Sequence, residues 1–198
     1  MVKKIKKYKI AVRPHAVIRL AKKKLNLRDV TEEFEKKVGE EIARIQPFIV
    51  PQARYGSFSR SETPETLKPL WENAPENTFC LSLVAVTIGP AVERKIEESA
   101  QTNGGLRPAI LDSAAVEALE QSLSFVTRLL LEESKAEGCE LSPLLPCEKS
   151  CLKDVLAFLD SPKSEIQSGP EGDMDPLYSS VCYCFWNPAA KGKHAKAR

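Results

Sequence analysis

The sequence has few of the residues on which self-contained catalytic sites are usually built. Histidine occurs only twice, as His15 and as His194 near the C-terminus, and we find no Ser/His/Asp or Cys/His arrangement. Glycine occurs nine times, and the pair Gly104-Gly105 lacks the spacing of a phosphate-cradling loop. Because of these shortages, a self-contained enzyme is the least supported of the functional classes, and we identify no candidate catalytic residue.

Long apolar stretches are also missing. No run approaches the roughly 18 apolar residues that a membrane span needs. The first nine residues are basic, but no apolar segment follows them before Lys22-Lys23-Lys24, so no signal peptide is indicated. We therefore expect a cytoplasmic protein without a membrane contact.

Acidic residues are absent from the first 24 positions, which hold ten Lys or Arg, and the segment Lys191–Arg198 holds four more. Such basic ends could contact nucleic-acid phosphates. Alternatively, the lysines could prevent an exposed edge strand from pairing with other chains, and the C-terminal charges could belong to a solvated, disordered tail. Aromatic side chains are not interleaved with these charges as a base-stacking surface requires. The pattern therefore favours the second interpretation, with a folded domain over residues 1–188 and a basic disordered tail over 189–198.

The most informative segment of the chain is Phe79–Leu131. Phe79–Thr87 is short and nearly all apolar, which predicts a strand buried on both faces, and Pro90 is suited to the first position of a helix. A long helix is then predicted from Asp112, which we interpret as its cap. Apolar residues recur after it at spacings of three and four, as on one face of a helix.

The flanking segments supply further elements. Lysines and apolar residues alternate at the start, which predicts an opening strand over residues 5–12, and Pro14 begins a short helix. Asp29 and Glu32 have the spacing of a capping box at the start of a second helix. Phe48–Phe58 is predicted as a strand interrupted at Pro51.

The last third contains a predicted helix, Cys147–Asp160, and a predicted strand, Ser179–Trp186. In that strand Val181, Tyr183 and Phe185 share one face. Strands and helices follow each other without regular βαβ alternation. The expected fold class is therefore α+β, a single domain with a mainly antiparallel sheet and packed helices.

Five of the six cysteines lie in this last third and could bind a metal. Cys147 and Cys151 are one helical turn apart, Cys182 and Cys184 share a strand face, and Cys139 precedes them. Thiolates suit zinc and iron–sulfur clusters. The spacings match neither a zinc ribbon nor a ferredoxin run, so scattered reduced thiols are favoured over a metal cluster.

The order of the elements is more distinctive than any single motif. Val17-Ile-Arg-Leu20 precedes the helix that ends at Gln46 and the segment Arg54-Tyr-Gly-Ser-Phe58. In the middle of the chain, Val84-Ala-Val-Thr-Ile-Gly89 is followed by the helical sequence Ala109–Leu119.

Near the end of the chain come Leu141-Ser-Pro143 and Met174-Asp-Pro-Leu-Tyr-Ser-Ser180. Together these stretches span most of residues 10–188, and their order resembles the activation domain of cobalamin-dependent methionine synthase and its small stand-alone relatives. The resemblance identifies Val17–Leu20 with the opening strand of that family. It identifies Ala109–Leu119 with the family's long helix, and the two late stretches with its ligand-side loop and final strand.

This resemblance implies cofactors and a partner. In the full enzyme of that family, the domain binds S-adenosylmethionine and holds it over an oxidised cobalamin. With an electron from a reductase or flavodoxin, the cobalt is then reduced and remethylated. The protein positions cofactors that carry the chemistry. A stand-alone relative is implied to be an accessory protein that serves a separate corrinoid protein, with the cobalamin carried by that partner.

The resemblance also implies ligand-binding residues. A glutamate on the long helix contacts the ligand in methionine synthase, and Glu117 or Glu120 is the nearest match here. The alternative for both acids is a solvated helix surface. The ligand-side loop and the final strand add the remaining candidates, which are Ser142, Pro143, Met174, Pro176 and Ser179.

The chain departs from the family in its ligand loop. The family has an arginine followed shortly by Gly-Tyr, and the guanidinium can grip a carboxylate through two parallel hydrogen bonds. The matching stretch here, Glu140–Cys147, has no arginine, glycine or tyrosine. The chain also ends soon after Pro188, where the family's domain continues into a further strand that contributes to the site. These departures weigh against S-adenosylmethionine binding.

Three functional hypotheses therefore stand beside one another. The first is an accessory protein for the reductive remethylation of a corrinoid protein. The second is a degenerate, non-catalytic relative that keeps the fold as a binding or scaffold module. The third is a cysteine-ligated metal protein with a redox function.

Overall fold

An antiparallel sheet with two long central strands organises the chain. The computed structural model describes residues 1–6, 8–102, 105–159, 166–169 and 171–189. The predicted tail, 189–198, lies outside the described residues except for Ala189, whose N–H donates to the carbonyl of Gly138 over 3.1 Å.

The described helices and strands mix along the chain. The helices are α1 (Pro14–Lys24), α2 (Glu32–Ile45), α3 (Pro90–Thr102), α4 (Leu106–Ala136) and α5 (Lys149–Phe158). Short 3₁₀ helices cover Gln46–Phe48 and Glu65–Trp71. The strands are β1 (Lys3–Lys6), β2 (Gln52–Phe58), β3 (Cys80–Thr87), β4 (Cys139–Leu141), β5 (Leu145–Pro146), β6 (Gln167–Ser168), β7 (Met174–Asp175) and β8 (Ser179–Pro188).

The main sheet has the order β1-β2-β3-β8-β4, and β5 also pairs with β8. All these pairs are antiparallel, with Leu83 opposite Tyr183 at the centre of the β3–β8 ladder. β6 and β7 form a separate two-stranded ladder. The predicted class, α+β with a mainly antiparallel sheet and packed helices, is confirmed.

Helices cover one face of the sheet. The long helix α4 packs along β3 and β2, and α1, α2 and α3 pack against α4. On this face Val84 and Val86 of β3 meet Val126 and Leu130 of α4. Burying these branched side chains stabilises the fold by roughly 1.5–3 kcal/mol each.

The opposite face is covered by the 3₁₀ helix Glu65–Trp71 and by α5. Leu81 and Leu83 of β3 contact this layer together with the predicted inward row of β8. Because both faces carry a layer, β3 is buried from Leu81 to Thr87. The apolar run that predicted a strand covered on both faces was therefore interpreted correctly.

The start of α4 differs from the prediction. The helix begins at Leu106, after Gly105 with φ of +111°, and Asp112 lies inside it. The carboxylate of Asp112 accepts hydrogen bonds from Lys24 Nζ at 2.6 Å and from the Tyr178 hydroxyl at 2.7 Å. Aspartate is a residue type that favours helix caps, but Asp112 instead forms tertiary contacts.

Several N-terminal boundaries also differ. The opening strand is confined to Lys3–Lys6, and Val17–Leu20, identified with a family strand, belongs to helix α1. The cap of α2 is Thr31, whose hydroxyl accepts the N–H of Phe34 at 3.2 Å, and not Asp29. Phe48 is in a 3₁₀ helix, so strand β2 begins only after Pro51.

No helix in the described ranges combines the length and the apolar character needed to cross a membrane.

Candidate functional site

Glu117 lies on α4 beneath the start of α1 and has no exposed surface. Its carboxylate accepts hydrogen bonds from Arg13 Nε at 2.6 Å and Arg13 Nη2 at 3.3 Å, and from Gln121 Nε2 at 2.9 Å. The hydrogen bond to Glu117 raises the pKa of Arg13. A buried carboxylate needs such partners to offset its desolvation, so the Glu117 contacts serve helix packing.

The position of Arg13 follows from its neighbour in sequence. Arg13 immediately precedes Pro14 and has an extended backbone, with φ of −85° and ψ of 114°. Proline disfavours helical geometry for the residue before it. The side chain of Arg13 therefore leaves the chain just before α1 and reaches α4. Glu120, one turn further along α4, is exposed.

Ser142 lies at the free edge of the main sheet, between β4 and β5. Its N–H donates to the Phe185 carbonyl at 2.8 Å, and its hydroxyl oxygen accepts the Phe185 N–H at 2.9 Å. The same hydroxyl donates to the carbonyl of Pro143 at 3.0 Å. Ser142 therefore continues the edge pairing with its side chain, while Pro143 is exposed.

The remaining candidates lie before and at the start of β8. Met174 is half-buried against the α5 layer, and Pro176 is buried after a cis peptide bond. Ser179 is buried opposite Thr87, and its hydroxyl has no hydrogen-bond partner among the described residues. Of the candidate side chains, Ser179 therefore has an unused polar group.

Tyr178, which the sequence analysis did not single out, anchors this segment. Its hydroxyl donates to Asp112 on α4, while its backbone carbonyl accepts the N–H of Ile88 at 3.2 Å. Burial, followed by the hydrogen bond to Asp112, raises the pKa of Tyr178. A lone tyrosine in a predicted loop carried no sequence signal for this role.

The candidates do not converge on one point. Ser142 pairs at Phe185, six residues along β8 from Ser179, which corresponds to about 20 Å in an extended strand. Glu117 belongs to the interface between α1 and α4, while Met174 faces the layer that contains α5. The structure brings together Pro176, Ser179 and the newly recognised Tyr178, at the end of the sheet where β3 ends.

Four of the five cysteines are divided between the two faces of the sheet. Cys147 and Cys151 pack with the α5 layer, whereas Cys139 and Cys184 pack with α4. Cys182 lies in β8 with its thiol 3.3 Å from the Ser180 hydroxyl. In the parts of the chain that the structure describes, no group of three or more His, Cys, Asp or Glu side chains could hold a metal ion.

The environment of these thiols disfavours the thiolate that binds metals. Burial raises the pKa of Cys147 to about 12 and that of Cys184 to about 12. Burial also raises the pKa of Cys182. The thiolate is both the nucleophile and the metal ligand, so these three cysteines are present as neutral thiols near neutral pH.

No protein-family model matches the sequence, and no curated protein matches it. The fold has a solved counterpart in the crystal structure of the MetH reactivation domain bound to AdoHcy. The TM-score is 0.64 with 11% sequence identity, and the match covers 97% of this chain and 80% of that chain. At this low identity the likeness establishes shared architecture and not shared activity. The chain therefore has the fold of the MetH reactivation domain.

Proposed function

We propose that this chain is an accessory protein that binds a corrinoid protein and assists its reductive remethylation. The observation that carries the proposal is the likeness of fold to the MetH reactivation domain, which extends over 97% of the chain. The proposal keeps the cytoplasmic location that the sequence predicts, and the cobalamin belongs to the partner.

The hydrogen bonds of the candidate polar side chains favour a protein whose main function is to bind the partner and not to bind a small ligand tightly. The similar solved domain is bound to AdoHcy. Here the Glu117 carboxylate is occupied by Arg13 and Gln121, and the Ser142 hydroxyl is occupied by the Phe185 N–H. These residues therefore do not fit S-adenosylmethionine as ligand contacts.

The expected affinity for free S-adenosylmethionine is low. Loss of one charge-assisted hydrogen bond costs about 1.5–3 kcal/mol. That loss moves a micromolar dissociation constant by roughly one to two powers of ten. Isothermal titration calorimetry with S-adenosylmethionine and with S-adenosylhomocysteine should therefore give no saturable heat at micromolar ligand. A micromolar dissociation constant would contradict this assignment of Glu117 and Ser142.

The segment before β8 offers an exposed apolar contact for a partner. Leu177 is 56% exposed, beside the buried residues Pro176 and Tyr178. Its N–H donates to Glu93 on α3 at 3.2 Å, which holds the segment in place. An anchored apolar side chain of this kind is suited to an interface.

The proposal is tested by mixing the purified chain with a cobalamin-binding domain loaded with cob(II)alamin. Complex formation is measured by biolayer interferometry and the state of the cobalt by its absorption spectrum. Leu177→Asp should weaken the complex at least tenfold, since it places a charge in the contact. Phe79→Asp is the matched control, because Phe79 is also 56% exposed but lies at the opposite end of β3.

Absence of a complex, with and without S-adenosylmethionine and a chemical reductant, would refute the proposal. A second candidate function is a non-catalytic scaffold that keeps only the binding surface. The occupied carboxylate of Glu117 and the missing arginine in Glu140–Cys147 favour it. A scaffold would form the complex but would leave both the cobalamin spectrum and the rate of its reductive methylation unchanged.

A further inference from the structure

We propose that a cavity between α2, α3 and α4 binds a small anion that carries a phosphate or carboxylate group. The cavity has a volume of about 260 Å³. It shares no lining residue with the ligand-binding candidates, so this proposal is independent of the proposed function. Its polar walls come from Arg44, Lys95, Glu98, Ser99, Thr102 and Arg107.

A buried carboxylate beside this cavity forms ion pairs with two guanidinium groups that line it. Glu41 on α2 has no exposed surface, and its two oxygens accept Arg44 Nη1 at 2.7 Å and Arg107 Nε at 2.9 Å. A guanidinium has five N–H donors, and each arginine uses one of them on Glu41. The other N–H groups form no further hydrogen bond within the described residues, so they can receive a second acceptor in fork geometry.

The third cation is Lys95 on α3. Its Nζ lies 2.6 Å from Glu98 Oε2 and 5.0 Å from the centre of the Phe48 ring, and both partners also line the cavity. The three cations are therefore opposed by two carboxylates, those of Glu41 and Glu98. One positive charge is left uncompensated at the cavity, which favours an anionic ligand.

Ser99 provides an independent observation. It is 3% exposed and lines the cavity, and its hydroxyl has no hydrogen-bond partner in the described part of the chain. Helical serines commonly donate to the carbonyl four residues earlier, as Ser113 does to Ala109 at 2.7 Å and Ser122 does to Ala118 at 3.0 Å. A buried hydroxyl without a partner costs free energy, and an acceptor atom of a ligand would remove that cost.

The size and the walls of the cavity limit the ligand. Sites for drug-sized ligands measure roughly 300–1,000 Å³, so this cavity suits inorganic phosphate or a short carboxylic acid. Ile45, Phe48 and Leu111 provide apolar wall on one side. A carboxylate with a short apolar tail and a phosphate share the chemistry that the arginines recognise, and experiment can separate them.

The test is a titration followed by two-dimensional ¹H–¹⁵N NMR at constant ionic strength, with inorganic phosphate, acetate and the uncharged acetamide as separate probes. Lys95→Gln removes one charge from the cavity. Arg94→Gln is the matched control, because it removes one charge from the exposed surface of the same helix without lining the cavity. Ser99→Ala tests the buried hydroxyl, and all variants are first checked for native spectra.

We expect saturable shifts of the amides that line the cavity with phosphate, with acetate or with both, but not with acetamide. Lys95→Gln should weaken binding roughly tenfold, as expected for a charge-assisted contact, whereas Arg94→Gln should bind like the original chain. A response to phosphate alone assigns a phosphate ligand, and a response to acetate assigns a carboxylate. Shifts that do not saturate, that are equal in Lys95→Gln, or that acetamide reproduces would overturn the proposal.

Discussion

The hydrogen bond between Tyr178 and Asp112 holds the segment before β8 against α4, and its removal tests the described architecture. Tyr178→Phe deletes only the hydroxyl that donates to Asp112 Oδ1 at 2.7 Å. The ring keeps its place, with 6% of the residue exposed. Asp112 loses one partner but keeps Lys24 at 2.6 Å.

The magnitude follows from this geometry. A hydrogen bond to a charged group contributes about 1.5–3 kcal/mol to stability. The Asp112 side chain is 27% exposed and can regain water, so we expect a loss of about 1–2 kcal/mol in the free energy of unfolding. For a chain of this length that corresponds to a decrease of roughly 2–8 °C in Tm.

Urea unfolding followed by tryptophan fluorescence measures this change. Tyr183→Phe is the matched control, since Tyr183 lies in β8 and is buried like Tyr178, but its hydroxyl forms no hydrogen bond among the described residues. The control should change the free energy of unfolding by less than about 0.5 kcal/mol. Equal losses for the two variants would refute the assigned hydrogen bond.

The effect of Tyr178→Phe on stability should also depend on pH. The pKa of Tyr178 is raised in the folded chain, so the folded state holds the phenolic proton more tightly than the unfolded state. This contribution is complete below the unfolded pKa of about 10 and decreases as the pH rises above it. The difference in stability between the original chain and Tyr178→Phe should therefore shrink above about pH 10.

Three further predictions concern the ion pair, two glycines and a thiol. Arg13→Met should lower Tm, because the buried Glu117 carboxylate then loses its cation and keeps only the hydrogen bond from Gln121, and adding Glu117→Met should recover part of the loss; a Tm of the double variant below that of Arg13→Met would contradict this. Gly89→Ala should destabilise the fold by about 1 kcal/mol or more because φ is +89°. Gly39→Ala, in an open helical position, should stabilise it by about 0.5–1 kcal/mol. Denaturant unfolding compares the two variants, and changes of the same sign in the free energy of unfolding would be inconsistent with these conformations. Iodoacetamide should alkylate Cys147 much more slowly in the folded chain than in urea at pH 8, since burial raises its pKa to about 12; mass spectrometry measures the rates, and equal rates would exclude that environment.

Local chemistry explains why the main elements were predictable. A short, nearly all-apolar run identified the central strand that became Cys80–Thr87, because a strand covered on both faces has no polar face. Period-two alternation identified the inward row of β8, because alternate residues of a strand share one face. Pro14 and Pro90 marked helix starts, since proline fits the first helical turn. These signals depend on a few neighbouring residues, and each of them is visible in the sequence.

Boundaries that depend on competition between partners were predicted less well. Asp112 and Asp29 are residue types that favour caps, yet α4 begins at Leu106 and Thr31 caps α2. Asp112 is instead bound by Tyr178 and Lys24, which are distant in sequence. No local pattern reports which of several possible partners a carboxylate will meet.

The candidate site shows the same division. The resemblance implied that Glu117 and Ser142 contact a ligand. In the structure the Glu117 carboxylate accepts a hydrogen bond from Arg13, and the Ser142 hydroxyl accepts one from the Phe185 N–H. It also divides four of the five cysteines between the α4 and α5 sides of the sheet, and the Ser179 hydroxyl has no hydrogen-bond partner within the ranges that the structure describes. These outcomes depend on contacts across about a hundred residues of chain, as between Arg13 and Glu117.

By itself, the sequence determined the α+β class, the antiparallel sheet and most of its helices, because hydrophobic period and proline position act locally. Only the tertiary structure decided which polar groups remain available, because a carboxylate or hydroxyl becomes occupied when folding brings a donor within about 3 Å. The cavity beside Glu41 arises in the same way, since α2 and α4 contribute arginines that no short motif would connect.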